Sequence, residues 1–130
     1  MKKQLAFVAL LVLSTALLGG LGQAQDNVQE FSLIHSLTVG DGAPAMFPSQ
    51  LTVKVGVPVR LFNISADVTH DPVVISSDMG GNNPVFGVEG FRVVPGEITV
   101  VEFTPDKTGA FFITHLKHGH NIVGKLIVTE

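Results

Sequence analysis

Histidine is concentrated in one short stretch of this sequence. The chain has five histidines, and three of them (His115, His118 and His120) fall within six consecutive residues. Neutral imidazole is the commonest protein ligand for copper and zinc, and rings spaced this closely can converge on one ion at the end of a strand. The cluster therefore indicates a candidate metal site.

The direction of the His115 side chain follows from strand geometry. Phe111, Ile113 and His115 share one face, because side chains alternate along a strand with a period of two. Phe111 and Ile113 are the expected core-facing pair, so His115 points inward, and His118 can fold back over it. A buried imidazole needs a partner for each nitrogen, and a metal ion is one such partner. The alternative is a solvated loop that happens to carry histidines.

The other histidines give weaker signals when each is considered alone. His35 lies among apolar residues in the middle of a strand, which is typical of a structural histidine with satisfied hydrogen bonds. His70 is an ordinary residue at a loop edge, and His120 taken alone is a solvated loop residue.

The composition excludes several classes of protein. The chain has 130 residues, 45% hydrophobic and 15% charged, and no cysteine. This length allows one domain. Without cysteine there can be no disulfide scaffold, thiolate zinc site, iron–sulfur cluster, thiol catalysis or lipid-anchored cysteine.

The first 24 residues have the pattern of a secretory signal peptide. Lys2 and Lys3 precede an apolar run, and Gly22-Gln23-Ala24 is a small-x-small cleavage site. The alternative is an uncleaved membrane anchor.

Cleavage leaves one domain at residues 25–130 with six basic and eleven acidic residues, a net charge of −5. This domain is expected in the periplasm or outside the cell. Its charge gives no support for binding nucleic acid or, once the signal is cleaved, a membrane.

The rest of the chain predicts an all-β fold. Short segments rich in valine, isoleucine, leucine and phenylalanine alternate with glycine, proline, asparagine and aspartate, which is typical of a sandwich or barrel. About seven strands in this length fit a two-sheet sandwich. The predicted strands are residues 31–39, 51–55, 59–63, 70–75, 98–103, 110–115 and 123–129, with a weaker one at 91–94.

Four segments in order resemble the cupredoxin family, which includes plastocyanin, amicyanin and the copper domain of cytochrome oxidase subunit II. They are FPSQLTVKVG at 47–56, VRLFN at 59–63, FTPDKTGAFF at 103–112 and VGKLIV at 123–128. The resemblance covers about residues 45–129. It implies a Greek-key β-sandwich in which His70, just before a strand, occupies the position of the first histidine ligand.

The resemblance also locates the other copper ligands and two departures from the family pattern. The family's ligand cysteine lies six residues after the glycine that corresponds to Gly109, and here that residue is His115. The second histidine ligand corresponds to His118, and Ile122 is the residue nearest the position of the axial methionine. The implied metal site is therefore His70, His115 and His118, with His120 as a candidate fourth ligand.

Two methionines and one aspartate could also contribute to this site. Met79, in the loop at 76–84, is a candidate sulfur ligand for Cu(I), although a partly buried packing role is favoured, and Met46 is expected to pack. Asp71 could orient the His70 ring, or it could be a solvated surface carboxylate.

Without the thiolate, copper held by nitrogen ligands is expected to form a non-blue, type-2-like centre. Capture, buffering or delivery of exported copper is then favoured over rapid electron transfer. The expected partners are the metal ion, with zinc less favoured than copper, and another exported copper protein.

Two other functions remain open at this point. One is a metal-dependent enzyme with a three-histidine copper or zinc site and an open position, with Asp67 and Asp71 as candidate general bases. The other is a metal-free interaction module. Binding without catalysis is favoured over the enzyme.

Overall fold

The computed structural model describes residues 27–39, 43–115 and 122–130. These residues form nine strands and no helix. The strands are β1 (Gln29–Val39), β2 (Ala43–Phe47), β3 (Gln50–Lys54), β4 (Val59–Ser65), β5 (His70–Ser76), β6 (Phe91–Val93), β7 (Ile98–Phe103), β8 (Gly109–His115) and β9 (Val123–Thr129). The all-β class is confirmed. Seven of the nine described strands correspond to the seven predicted ones, and β6 corresponds to the weaker prediction at 91–94. β2 was not predicted.

The strands form two sheets packed as a sandwich. One sheet has the order β2-β1-β4-β7 and the other has the order β3-β9-β8-β5-β6. Two pairings are parallel, β1 with β4 and β3 with β9, and both join strands that are far apart in the sequence. No helix in the described ranges is long and apolar enough to cross a membrane. The expected signal peptide at 1–24 lies outside the described residues.

The core between the sheets is built by alternating side chains. On β4 every second residue is buried, beginning with Val59 and Leu61. The partly buried ring of Phe86 packs against this core, stacking on Phe103 and meeting Phe111 edge-on, with ring centroids 5.7 Å and 4.8 Å apart. Burial of this apolar surface is the main stabilising contribution available to a chain with no disulfide.

At one end of the core the inward-facing positions change from apolar to polar. On β1 the buried Leu33 is followed two residues later by His35. On β4 Leu61 is followed by Asn63, and on β8 Ile113 is followed by His115. All six side chains are buried, so the same alternation that builds the apolar core also places three polar groups together inside the sandwich.

Candidate metal centre

Three histidine rings meet at this polar end of the core. His35 comes from β1, His70 begins β5 and His115 ends β8. Their exposed fractions are 0%, 0% and 6%, respectively. The ring centroids of His70 and His115 are 4.6 Å apart, and those of His35 and His115 are 5.0 Å apart. The expected inward direction of His115 is confirmed.

His70 reaches the interior because β5 is irregular. Val73 and Ile75 face the core, so strict alternation would turn His70, three residues before Val73, to the opposite face. The register of β5 with β6 shifts between His70 and Val73, where Pro72 has no N–H to offer the ladder. The irregularity therefore lies around Pro72, although β5 is an inner strand between β8 and β6.

His115 occupies the middle of a row of three rings. Its Nδ1 lies 3.1 Å from Nδ1 of His70, and its Nε2 lies 2.9 Å from Nδ1 of His35. Each of these distances is within hydrogen-bonding range.

Asn63 closes one end of this row. Its Oδ1 lies 2.9 Å from Nε2 of His35. Its amide nitrogen donates to the carbonyl oxygens of Leu61 and Thr99, at 3.3 Å and 3.1 Å. Because an amide nitrogen can only donate, these two bonds fix the orientation of the side chain and present the oxygen to His35. His35 must therefore donate its Nε2–H to Asn63.

Asp67 closes the other end. Its Oδ1 lies 3.2 Å from Nε2 of His70 and accepts the N–H of Val68 at 2.7 Å. Its Oδ2 accepts the N–H of Leu37 at 2.6 Å and the hydroxyl of Ser36 at 3.0 Å. Burial raises the pKa of Asp67, but these hydrogen bonds outweigh it and bring the pKa from 3.8 to about 2. Asp67 is therefore a carboxylate at neutral pH.

His35 is uncharged at neutral pH. Burial lowers its pKa from 6.5 to about 4; the hydrogen bond to Asn63 opposes this change, and the nearby His70 adds to it. The two ends of the row thus differ in charge. A neutral amide and a neutral imidazole lie at one end, and a carboxylate lies against His70 at the other.

Counting protons along the row shows what the site can accept. Four contacts join Asn63, His35, His115, His70 and Asp67, and each needs one proton to be a hydrogen bond. Three neutral imidazoles supply three protons, and neither terminal oxygen supplies one. Among these four contacts of the described residues, one therefore has no proton from a neutral ring, and a further proton or a metal ion can occupy it.

The donor atoms suit a metal ion in one of these contacts. An ion bound to two imidazoles sits about 2.0–2.1 Å from each nitrogen, so it fits between nitrogens 3.1 Å apart. Among the described residues, no three His, Cys, Asp or Glu side chains form a group that could hold an ion. His115 directs its two nitrogens to different rings, so two nitrogen donors converge in the described part of the site, from His70 and His115.

The structure places the other predicted residues as follows. His118 and His120 lie outside the described residues. Ile122 is buried, and its carbonyl oxygen accepts the N–H of His115 at 3.2 Å. Met46 is buried, as expected for packing. Met79 is 60% exposed, so the partly buried packing position expected for it is wrong.

The carboxylate that contacts the site is Asp67 and not Asp71. Asp71 is exposed and lies 3.8 Å from Arg92, which leaves it the role of a surface carboxylate. Asp67, considered in the sequence only as a candidate base, binds the His70 ring instead. The β4–β5 loop folds back onto β1 through Leu37 and Ser36, and this local fold decides which carboxylate reaches the ring.

Sequence reasoning missed the part played by His35 and Asn63. His35 is a buried histidine with satisfied hydrogen bonds, as expected, but one of its partners is His115. Alternation from Phe31 and Leu33 would have turned it inward. Its contact with His115 on β8 depends on how the two sheets pack together, and the sequence of a single strand does not predict that packing.

No family model and no curated protein sequence matches the chain. A copper-binding protein solved in its apo form by NMR is 26% identical, with a TM-score of 0.54, over 79% of this chain and 89% of that one. A purple cupredoxin from Nitrosopumilus maritimus is 19% identical, with a TM-score of 0.52, over 75% of this chain and 98% of that one.

A multi-copper oxidase from Pseudomonas thermotolerans is 19% identical, with a TM-score of 0.59, over 79% of this chain. The match spans only 30% of the oxidase chain. The described nine-strand sandwich of this chain matches cupredoxin structures, so the resemblance to the cupredoxin family predicted from the sequence is confirmed. The protein has the cupredoxin fold. It has no cysteine, and His115 at the end of β8 stands where the resemblance places the cysteine ligand.

Proposed function

We propose that this protein binds copper outside the cytoplasm and takes part in its capture, buffering or delivery. The observation that carries the proposal is the pair of Nδ1 atoms of His70 and His115, which are buried and lie 3.1 Å apart. The likeness to copper-binding structures supports copper as the ion.

Nδ1 of His70 and Nδ1 of His115 are the two ligands proposed from the described residues, and His118 and His120 complete the proposed set. Imidazole nitrogens without a thiolate favour a non-blue, type-2-like Cu(II) centre. When bound, copper supplies a positive charge that the row can hold against the carboxylate of Asp67. Zinc, which accepts the same ligands, is the less favoured ion.

Export through a signal peptide at 1–24 is part of the proposal, because capture or delivery in the periplasm requires it. The proposed partner is another exported copper protein that supplies or receives the ion. The protein's role is then binding and transfer rather than catalysis.

The test is a titration of the purified domain, residues 25–130, with Cu(II). We expect one ion per chain, a weak visible band and nitrogen hyperfine structure in the electron paramagnetic resonance spectrum. His70→Gln and His115→Gln should each weaken binding at least 100-fold. Asp71→Asn, which changes an exposed carboxylate next to His70, is the matched control and should bind like the wild type.

Unchanged affinity in both histidine variants would overturn the site. Absence of any binding, with no thermal shift from copper or zinc, would instead support the metal-free interaction module. Circular dichroism of each variant separates loss of ligand from loss of fold.

A further inference from the structure

We propose that His35 and Asn63 are a positioning pair that keeps a proton on Nε2 of His115 and so makes Nδ1 of that ring the metal donor. The proposal rests on the proposed function for the metal, and it adds two residues outside the proposed ligand set. It also states which contact in the row receives the cation and which remains a hydrogen bond.

The first step is the anchoring of Asn63. Its amide nitrogen donates to the carbonyl oxygens of Leu61 and Thr99, so its oxygen faces His35. If this amide were flipped, its nitrogen would face Nε2–H of His35, so two donors would meet. Its oxygen would face the carbonyl oxygens of Leu61 and Thr99, so acceptors would meet acceptors. Since Asn63 is fully buried, those lost bonds would not be replaced by water at low cost.

The second step fixes the tautomer of His35. Asn63 accepts the proton on Nε2, and a neutral ring carries one proton, so Nδ1 of His35 has a lone pair. His35 is fully buried between the sheets, and burial away from water disfavours a second proton on this ring. His35 can therefore only accept from His115.

The third step concerns His115, whose Nε2 lies 2.9 Å from Nδ1 of His35, the nitrogen that carries this lone pair. With a proton on Nε2 the contact is a hydrogen bond; without one, two lone pairs would face each other inside the protein. The bond leaves Nδ1 of His115 directed at Nδ1 of His70.

The charges at the two ends decide between the two inner contacts. A cation between His35 and His115 would lie next to a neutral amide in the most buried part of the row. A cation between His115 and His70 lies one ring from the Asp67 carboxylate, which contacts His70 at 3.2 Å. Opposite charges attract most strongly where water is excluded, so the cation belongs on the Asp67 side and the hydrogen bond on the Asn63 side.

Two variants of His35 separate positioning from packing. The side chain in His35→Gln can still accept from His115 through its oxygen and donate to Asn63 through its nitrogen. The side chain in His35→Leu has a similar bulk and can do neither. If His35 only fills space, both variants should change the affinity for the metal ion by similar amounts. If His35 positions His115, the glutamine variant should keep the affinity and the leucine variant should lose it.

The experiment is long-range ¹H–¹⁵N NMR of labelled protein, first metal-free at neutral pH and then loaded with Zn(II) as a diamagnetic probe. In both states we expect a proton on Nε2 of His115, no proton on Nδ1 of His35, and a nitrogen–nitrogen coupling between these two atoms through the hydrogen bond. A proton on Nδ1 of His35 in both states, or none on Nε2 of His115, would overturn the proposal.

Affinity for Cu(II) and Zn(II) is then measured in the variants. His35→Gln should bind within about threefold of the wild type, and His35→Leu should bind at least tenfold more weakly. Equal binding by His35→Leu and the wild type would also overturn the positioning role. If His35→Leu does not fold, the wild-type NMR result and the affinity of His35→Gln still decide the question.

These outcomes are distinct from failure of the proposed function. If the wild type binds neither ion but shows the expected proton positions in the metal-free state, the proposed function fails and the hydrogen-bonding part of the positioning pair stands.

Discussion

Nδ1 of His70 and Nδ1 of His115 lie 3.1 Å apart, although the residues are separated by 45 positions in the sequence. Their strands are adjacent: β5 pairs with β8, and Val73 lies opposite His115. The irregularity between His70 and Val73 turns the first ring toward the second. The pair therefore depends on one antiparallel pairing and one local bend, both within a single sheet.

Copper is expected to stabilise the folded protein. A ligand that binds only the native state raises the free energy of unfolding by about 2.7 kcal/mol at a free concentration 100 times its Kd. Thermal unfolding should therefore shift upward with added Cu(II) and return to its starting value with a chelator. An unchanged midpoint at saturating copper would contradict this expectation.

Asp67→Asn is expected to weaken metal binding and to remove part of the acid sensitivity. The pKa of Asp67 is about 2 in the folded protein and 3.8 in the reference state. The stability that this carboxylate contributes is therefore present above pH 3.8 and lost as the pH falls toward 2. Denaturant titrations of the metal-free protein between pH 5 and about pH 2 measure this change.

The matched control for Asp67→Asn is Asp71→Asn, which makes the same chemical change at an exposed carboxylate. It should keep wild-type copper affinity. Equal behaviour of the two variants would show that the contact of Asp67 with His70 does not matter to the site.

His35→Gln is expected to flatten the stability of the metal-free protein between pH 6.5 and 4. The pKa of His35 is about 4 in the folded protein, below its reference value of 6.5, so the unfolded chain takes up the proton first as the pH falls. The stability from keeping His35 neutral is full above pH 6.5 and is lost toward pH 4, by up to about 3 kcal/mol. The measurement is the free energy of unfolding of both proteins at each pH. A parallel pH dependence in the two proteins would contradict it.

Gly124→Ala is expected to destabilise the fold by about 1–3 kcal/mol, because it overpacks the interior. A Cβ at this position would lie 2.6 Å from Sδ of Met46, which is 3% exposed and has little room to move. Chemical denaturation of Gly124→Ala, Met46→Ala and the double variant measures the coupling. The double variant should lose less than the sum of the single losses, because truncating Met46 removes the clash. Strictly additive losses would argue against that contact.

The sequence predicted the features of this protein that depend on local pattern. The alternation of side chains along one strand correctly predicted that His115 points inward. The order of four short segments was enough to indicate the cupredoxin fold. β2 was missed because its sequence, APAMF, shows no alternation of apolar and polar residues and contains a proline.

The features that the sequence did not predict depend on contacts between distant segments. His35 lies beside β4 through a parallel pairing, and it meets His115 across the sandwich. Asp67, not Asp71, reaches His70 because the β4–β5 loop hydrogen-bonds to β1. Neither relationship follows from spacing along one strand.

The row from Asn63 to Asp67 also acts as a cross-link. Asn63 and His35 belong to one sheet, and His70 and His115 belong to the other. The 2.9 Å contact between His35 and His115 therefore joins the inner faces of the two sheets in a protein that has no disulfide. If the proposed ion binds Nδ1 of His115, it makes Nε2–H of that ring a stronger donor to His35. Loading should therefore slow amide hydrogen exchange in β4, which supplies no ligand from its own residues. Bound ion would then make opening of the sandwich at this end less frequent.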